Sequence, residues 1–141
     1  MKILVIDDSK EDREIAITRI NQTNLIPDMT ADESNCLKAA LEKLRENEYD
    51  VIILDLALPE TDGLDTINEV NKFLEQKNRE TPIVILTGLE DYSLGIKAFS
   101  LGVKDFLIKD EYKHDDITRA LKCATYGRKR VKTIHTHTIE S

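Results

Sequence analysis

The sequence, 141 residues long, lacks the features that mark membrane, secreted and nucleic-acid-binding proteins. No apolar stretch approaches the roughly 20 residues that a helix needs to cross a bilayer. A net charge of −7 and an isoelectric point near 5.0 argue against the basic face that nucleic acids require. The first residues already resemble a strand, so we expect no signal peptide. These absences predict a cytoplasmic domain with no nucleic-acid partner and no membrane insertion.

Cysteine and histidine, the usual ligands of zinc and of redox metals, are also scarce. Cys36 and Cys123 are the only cysteines, and both fall in helical patterns. We therefore expect packed, reduced thiols rather than a redox or metal role. The three histidines lack metal-ligand spacing with those cysteines.

What the sequence does contain is a regular alternation of short apolar runs and longer amphipathic segments. The runs predict strands near residues 2–7, 25–30, 50–55, 82–87 and 103–108. The second run is the least apolar, and its Pro27 cannot donate to a neighbouring strand, so we place it at a sheet edge. The other four are nearly all apolar, which is typical of strands covered on both faces.

The segments between the runs predict helices. Ser9 followed by Asp12 resembles a capping box that opens the first helix, and Gly102 indicates a left-handed cap at the end of the fourth. We expect the later helices over about residues 63–76, over about 91–101, and from about 115 onward.

Five such βα units predict an α/β fold with a five-stranded parallel sheet, a doubly wound, flavodoxin-like three-layer sandwich. Right-handed crossovers and helices on both faces favour the strand order 2-1-3-4-5. In that order the chain reverses between the first and third strands, where such folds bind ligands. We expect one domain over residues 1–127, followed by a basic helix end and a flexible polar tail over residues 128–141.

Polar side chains follow four of the apolar runs, at the point where each run ends. They are Asp7, Asp8, Asp55, Thr87 and Lys109. Because the carboxyl ends of parallel strands meet at one edge of a sheet, we expect all five side chains in one shallow crevice. Three clustered carboxylates repel each other, and a hard divalent cation with oxygen ligands would offset that charge. An aspartate can also act as a nucleophile toward phosphorus, so the crevice predicts phosphoryl transfer.

These motifs resemble the receiver domain of two-component response regulators, the single-domain, chemotaxis-regulator-like kind included. The matching features are Asp7-Asp8, Asp55 followed by the segment 58–63 (LPETDG), Thr87-Gly88, and the segment 106–109 (FLIK). The resemblance covers residues 1 to about 127. Each fragment alone is weak, but the four together at the family's spacing are a specific signal.

The resemblance implies a role for each matching residue. Asp55 would be the phosphoacceptor. Mg²⁺, or Mn²⁺ in its place, would be held by Asp8, by Asp55, by the backbone carbonyl of Ala57, and by Asp7 through water. Thr87 and Phe106 would form a switch pair, and the Lys109 amine would bind the phosphoryl group. The sequence departs from the family at Asp110, where proline is usual, and we therefore expect a trans peptide bond there and a different loop.

The function that the resemblance implies is a phosphorylation-dependent signalling switch that is not itself an enzyme, beyond assisting its own phosphorylation and dephosphorylation. A histidine kinase or a histidine phosphotransfer protein would supply the phosphoryl group. A face formed by the fourth helix, the fifth strand and the fifth helix would contact a protein target, or the phosphoryl group would pass onward in a relay. Two alternatives stay open. The first is an aspartate-nucleophile phosphohydrolase; such enzymes carry a second aspartate two positions after the nucleophile, where this chain has Ala57, which argues against it. The second is an interaction module with an inactive site.

Overall fold

A computed structural model describes residues 1–126 of the chain. Its strands are β1 (Lys2–Ile6), β2 (Thr30–Ser34), β3 (Val51–Leu54), β4 (Ile83–Thr87) and β5 (Asp105–Ile108). They form one parallel sheet in the order β2-β1-β3-β4-β5. The predicted fold class and strand order are confirmed. The predicted basic helix end and polar tail, residues 128–141, lie outside the described residues.

Helices follow the strands. They are α1 (Lys10–Gln22), α2 (Leu37–Glu46), α3 (Gly63–Gln76), α4 (Tyr92–Ala98) and α5, residues 114–126. The predicted fourth helix is divided, because 3-10 turns at Leu89–Asp91 and Phe99–Leu101 flank α4. It ends as expected at Gly102, whose φ of 90° is the left-handed conformation. Within residues 1–126, no helix is long and apolar enough to span a membrane.

Two apolar layers enclose the sheet, because alternate side chains of each strand point to opposite faces. One layer joins the sheet to α2 and α3 through strand residues such as Leu4, Ile52 and Ile85. The other joins it to α1 and α5 through residues such as Val5, Ile53 and Val84. All six side chains are at most 1% exposed. The apolar runs of β1, β3 and β4 therefore mark strands that are covered on both faces, as predicted. The same prediction is wrong for β5, which lies at the other edge of the sheet and is half-buried throughout.

The second strand was predicted in the wrong place. Residues 25–29 form a turn instead, with Ile26 buried in the core and Asp28 in the left-handed conformation at φ 53°. The strand itself is the polar segment Thr30–Ser34. It lies at the edge of the sheet, as expected, and pairs with β1 alone. β2 has no apolar run of its own, so the apolar pattern pointed to the adjoining turn, where Ile26 is buried.

The cysteines also differ from expectation. Cys36 is the N-cap of α2, and its sulfur accepts a hydrogen bond from the Ala39 N–H at 3.4 Å. Cys123 lies on α5 and is exposed, so the prediction of a packed thiol is wrong there. The helical stripe of α5 turns toward the core at Ile117, Leu121 and Ala124, which leaves Cys123 on the outside.

Candidate functional site

The carboxyl ends of β1, β3, β4 and β5 lie at the same edge of the sheet. The Asp55 N–H donates to the last carbonyl of β1 at 2.9 Å, and the Lys109 N–H donates to the Thr87 carbonyl at 2.8 Å. Asp7, Asp55 and Thr87 are at most 2% exposed, whereas Asp8 is exposed. The structure thus brings together the five polar residues that the sequence placed at strand ends.

The Lys109 ammonium lies at the centre of this group. Its Nζ is 2.7 Å from Asp7 Oδ2, 2.9 Å from Asp55 Oδ2 and 3.0 Å from Asp12 Oδ2. A protonated lysine has three hydrogens to donate, so each of these carboxylates can accept one. Asp12, in the first turn of α1, was missed by the sequence reasoning. Its place one helical turn after Asp8 was the available signal, because the first turn of α1 follows the end of β1 directly.

The two oxygens of Asp55 have different partners. Oδ1 accepts hydrogen bonds from the Ala57 N–H and from the Thr87 hydroxyl, each at 3.0 Å. Oδ2 faces Lys109. The neutral donors hold the orientation of the carboxylate, and the ammonium supplies the opposite charge.

Burial and charge shift the ionisation of this group. Burial raises the pKa of Asp7 from 3.8 to about 6, although hydrogen bonds from Lys109 and from the Ser9 N–H oppose that rise. For Lys109, burial alone lowers the pKa, but the hydrogen bonds to Asp7 and Asp55 outweigh it, so the pKa lies above its usual value. Lys109 therefore stays protonated at neutral pH.

Three carboxylates could hold a divalent cation. Asp7, Asp8 and Asp55 each offer an oxygen, and these oxygens lie within 4.8 Å of one another. An all-oxygen donor set with one exposed carboxylate suits Mg²⁺, which prefers few protein ligands and keeps several waters. These side chains fit the ion that the sequence predicts at this edge.

A crevice of about 420 Å³ opens above Asp55 and Lys109. Its walls come from α1 and from the loops after β3, β4 and β5. The other lining residues are Asp12, Ala57, Gly88, Leu89, Glu90, Asp110 and Glu111. Asp55 and its lysine are therefore accessible to a small group that enters from solvent.

The loop after β5 has its own shape. As expected, the bond between Lys109 and Asp110 is trans, as are all peptide bonds within residues 1–126. Asp110 adopts φ 70°, a left-handed conformation that aspartate tolerates better than most residues. The N–H groups of Glu111 and Tyr112 both donate to the Ile108 carbonyl at 3.1 Å, which closes a tight turn directly after Lys109.

Phe106 is not part of the crevice. Its ring packs against α4, between Tyr92 and Phe99, with ring centroids 5.5 and 6.0 Å away and edge-to-face geometry. We call these three rings the aromatic cluster. Gly95 of α4 makes this position available, because a Cβ there would lie 2.5 Å from two atoms of the Phe106 ring. Tyr92 and Phe99 are about half exposed, so the cluster reaches the surface.

Comparisons with known proteins agree with this geometry. Residues 3–122 match the family model of the response regulator receiver domain. The chain therefore belongs to the receiver domain family of two-component response regulators, in which aspartate phosphorylation and Mg²⁺ binding are general features.

Individual relatives show how far the similarity reaches. The chain is 29% identical over 109 residues to the transcriptional regulatory protein CusR of Escherichia coli, covering 77% of this chain and 44% of CusR. It is 33% identical over 112 residues to the transcriptional regulatory protein YdfI of Bacillus subtilis, covering 77% of this chain and 48% of YdfI. The chain thus spans less than half the length of these curated relatives.

Solved structures share the fold. A response regulator receiver domain protein from Clostridium thermocellum superposes with a TM-score of 0.76 at 26% identity, covering 92% of this chain and 98% of that one. The receiver domain of the Francisella response regulator 1452 has a TM-score of 0.71 at 26% identity, with coverage of 90% and 98%.

Proposed function

We propose that this receiver domain is a phosphorylation-controlled switch in which Asp55 accepts the phosphoryl group. The observation that carries the proposal is the asymmetry of the Asp55 carboxylate. Oδ1 is held by the Ala57 N–H and the Thr87 hydroxyl, while Oδ2 contacts only the Lys109 ammonium at the floor of an open crevice. An oriented carboxylate beside a fixed cation can attack phosphorus and keep the new charge compensated.

Each neighbouring residue then has a task. Asp8 and Asp55, with the Ala57 carbonyl, would hold Mg²⁺ directly, and Asp7 would hold it through water. The bound ion would supply positive charge where the phosphoryl oxygens gather. Lys109 would donate to a phosphoryl oxygen, and the Thr87 hydroxyl would turn from Asp55 Oδ1 toward another. Phosphoryl transfer needs this positioning and charge more than it needs covalent help.

The phosphoryl group would come from a histidine on a kinase or a phosphotransfer protein, in the cytoplasm. In the transfer, the nitrogen–phosphorus bond of the donor breaks and a phosphorus–oxygen bond to Asp55 forms. Within our proposal the receiver domain extends over residues 1–127. CusR and YdfI are transcriptional regulators with additional sequence, and we propose that the present domain acts through protein contacts rather than through nucleic acid.

Readout would use the face formed by α4, β5 and α5. Four large apolar side chains are exposed along the α4 region at a spacing of three and four residues, namely Leu89, Tyr92, Ile96 and Phe99. Such spacing places them on one side of the helix, and contiguous apolar surface of this kind marks interaction sites. The Phe106 ring packs against two of them, which gives the face a physical link to β5.

A small phosphodonor tests the proposal. We expect that incubation with acetyl phosphate and Mg²⁺ adds one phosphoryl group, seen by intact mass, and that a chelator prevents the addition. The adduct should be labile to hydroxylamine, as acyl phosphates are. Continuous hydrolysis of phosphate esters would indicate a phosphohydrolase instead, and the lack of any adduct would indicate an inactive module.

A further inference from the structure

We propose that Asp12 is a positioning residue that competes with the phosphoacceptor for Lys109 and thereby restrains the phosphorylated state. The inference rests on the proposed role of Asp55. Asp12 lies in the first turn of α1, where its own N–H donates to the Ser9 hydroxyl at 3.2 Å. That cap fixes the turn and holds the Asp12 carboxylate over the crevice, with Oδ2 3.0 Å from Lys109 Nζ.

The number of hydrogens on Lys109 sets up the competition. The ammonium has three hydrogens and three carboxylate partners, so a phosphoryl oxygen on Asp55 takes the place of Asp55 itself or of one of the other two carboxylates. The side chain of Asp7 is only 3% exposed, whereas that of Asp12 is 31% exposed. Water can replace the lysine at Asp12 far more readily than at a buried carboxylate. Of the two carboxylates that do not accept the phosphoryl group, Asp12 is therefore the one that Lys109 releases more readily.

Charge acts in the same direction. Asp12 and Asp55 contact the same nitrogen at 3.0 and 2.9 Å, so their nearest oxygens are no more than about 6 Å apart. A negative charge at that distance opposes a bound anion and favours a bound cation. Loss of the Asp12 charge should therefore raise the affinity for an anionic ligand and lower the affinity for a cation. A general loss of structure would lower both affinities.

The first test compares Asp12→Asn with wild type in two titrations, Mg²⁺ alone and beryllofluoride at saturating Mg²⁺, both followed by NMR. We expect Asp12→Asn to bind beryllofluoride about 3- to 10-fold more tightly and Mg²⁺ about 2- to 5-fold more weakly. Asp12→Glu should remain close to wild type. Glu11→Gln is the matched control, because it removes one exposed charge from the same turn of α1 without touching Lys109.

The second test needs no phosphoryl ligand. The Nζ hydrogens of Lys109 should exchange with water several-fold faster in Asp12→Asn than in wild type or Glu11→Gln, because a neutral amide oxygen replaces one of three charged acceptors and holds the ammonium less strongly. Unchanged exchange would overturn the inference. Equal affinities of Asp12→Asn and wild type for both ligands would also overturn it. So would the same change of affinity in Glu11→Gln, or weaker binding of both ligands by Asp12→Asn. Failure of wild type to bind beryllofluoride would instead count against the proposed function, and the exchange rates would still decide the role of Asp12.

Discussion

The crevice and the aromatic cluster both involve β5 but are held by different forces. In the crevice, one ammonium joins three carboxylates at 2.7–3.0 Å, and two neutral donors orient Asp55. These bonds are directional, and each depends on a defined charge. The crevice can therefore respond to a charged ligand only by exchanging specific partners.

The aromatic cluster depends on shape alone. Phe106 meets Tyr92 and Phe99 edge-to-face, and it lies against the bare backbone of Gly95. Such contacts involve no net charge, and two of the rings are half exposed. A small displacement of β5 or α4 would cost little here, so the difference suggests that the crevice receives the signal and the cluster adapts to it.

The largest expected effect is the loss of phosphorylation in a variant whose crevice is altered and whose aromatic cluster is not. Asp55→Asn should abolish phosphorylation by acetyl phosphate, because the near-isosteric amide lacks the nucleophilic carboxylate, while the aromatic cluster stays intact. Intact mass and peptide mapping check the adduct, and circular dichroism checks the fold. Asp62→Asn, in the loop after β3, is the control and should be labelled like wild type. Labelling of Asp55→Asn at the wild-type level would contradict the assignment of Asp55.

The second prediction concerns the pH dependence of the crevice without Mg²⁺. The pKa of Asp7 in the folded state is raised to about 6, so folding favours the protonated carboxyl. The contribution of protonated Asp7 to the free energy of unfolding is therefore fully present below about pH 4 and is lost as pH rises through 6. Asp7→Asn removes this titration. Its stability relative to wild type should therefore increase by about 1–3 kcal/mol between pH 4 and pH 8.

Urea denaturation at several pH values, in the presence of a chelator, measures that difference. Asp8→Asn is the control, because it removes the exposed neighbouring carboxylate and leaves the buried one in place. A constant difference between Asp7→Asn and wild type across this range would show that burial of Asp7 is not what sets the pH dependence.

The third prediction tests the shape of the cluster. Gly95→Ala should gain about 1 kcal/mol of helix propensity but lose more through the clash with the Phe106 ring, for a net destabilisation of about 1 kcal/mol. In a Phe106→Leu background the same change should be neutral or stabilising. Urea denaturation of wild type and the three variants gives the coupling, and additive effects would mean that Gly95 and Phe106 do not contact as described.

The smallest effect is expected at the exposed edge of the cluster. Phe99→Ala should destabilise the fold by about 0.5–1 kcal/mol through loss of one edge-to-face contact, and acetyl phosphate should still add one phosphoryl group to it, because no residue of the crevice is changed. Tyr126→Ala, which removes an exposed ring outside the cluster, should change stability by less than about 0.5 kcal/mol. Loss of the phosphoryl adduct in Phe99→Ala would show that the crevice cannot accept the group without the cluster, which would contradict the separate roles of the two regions.

The sequence predicted the crevice better than the cluster, and the reasons are physical. Asp7, Asp55 and Lys109 directly follow apolar strand segments, so their positions depend only on strand ends and on parallel order. Asp12 depends on how α1 leaves β1, and the Phe106 slot depends on packing between β5 and Gly95, neither of which has a periodic signal.

β2 was harder to predict for a related reason. It is mostly polar and so has no apolar run of its own, and the apolar residues nearby belong to a buried turn. The roles assigned to the site residues stay predictions, since they concern phosphorylated and metal-bound states. Their placement is what the structure adds.

The central claim is that binding of a phosphoryl group in the crevice changes the conformation of the aromatic cluster. The most direct measurement is an NMR comparison of the protein with Mg²⁺ alone and with Mg²⁺ and beryllofluoride. Our account predicts shift changes in the loops around Asp8, Asp55 and Thr87 and also along α4 and β5, including Ala98 and Phe106. Changes confined to the loops of the crevice, with α4 and Phe106 unaffected, would contradict it.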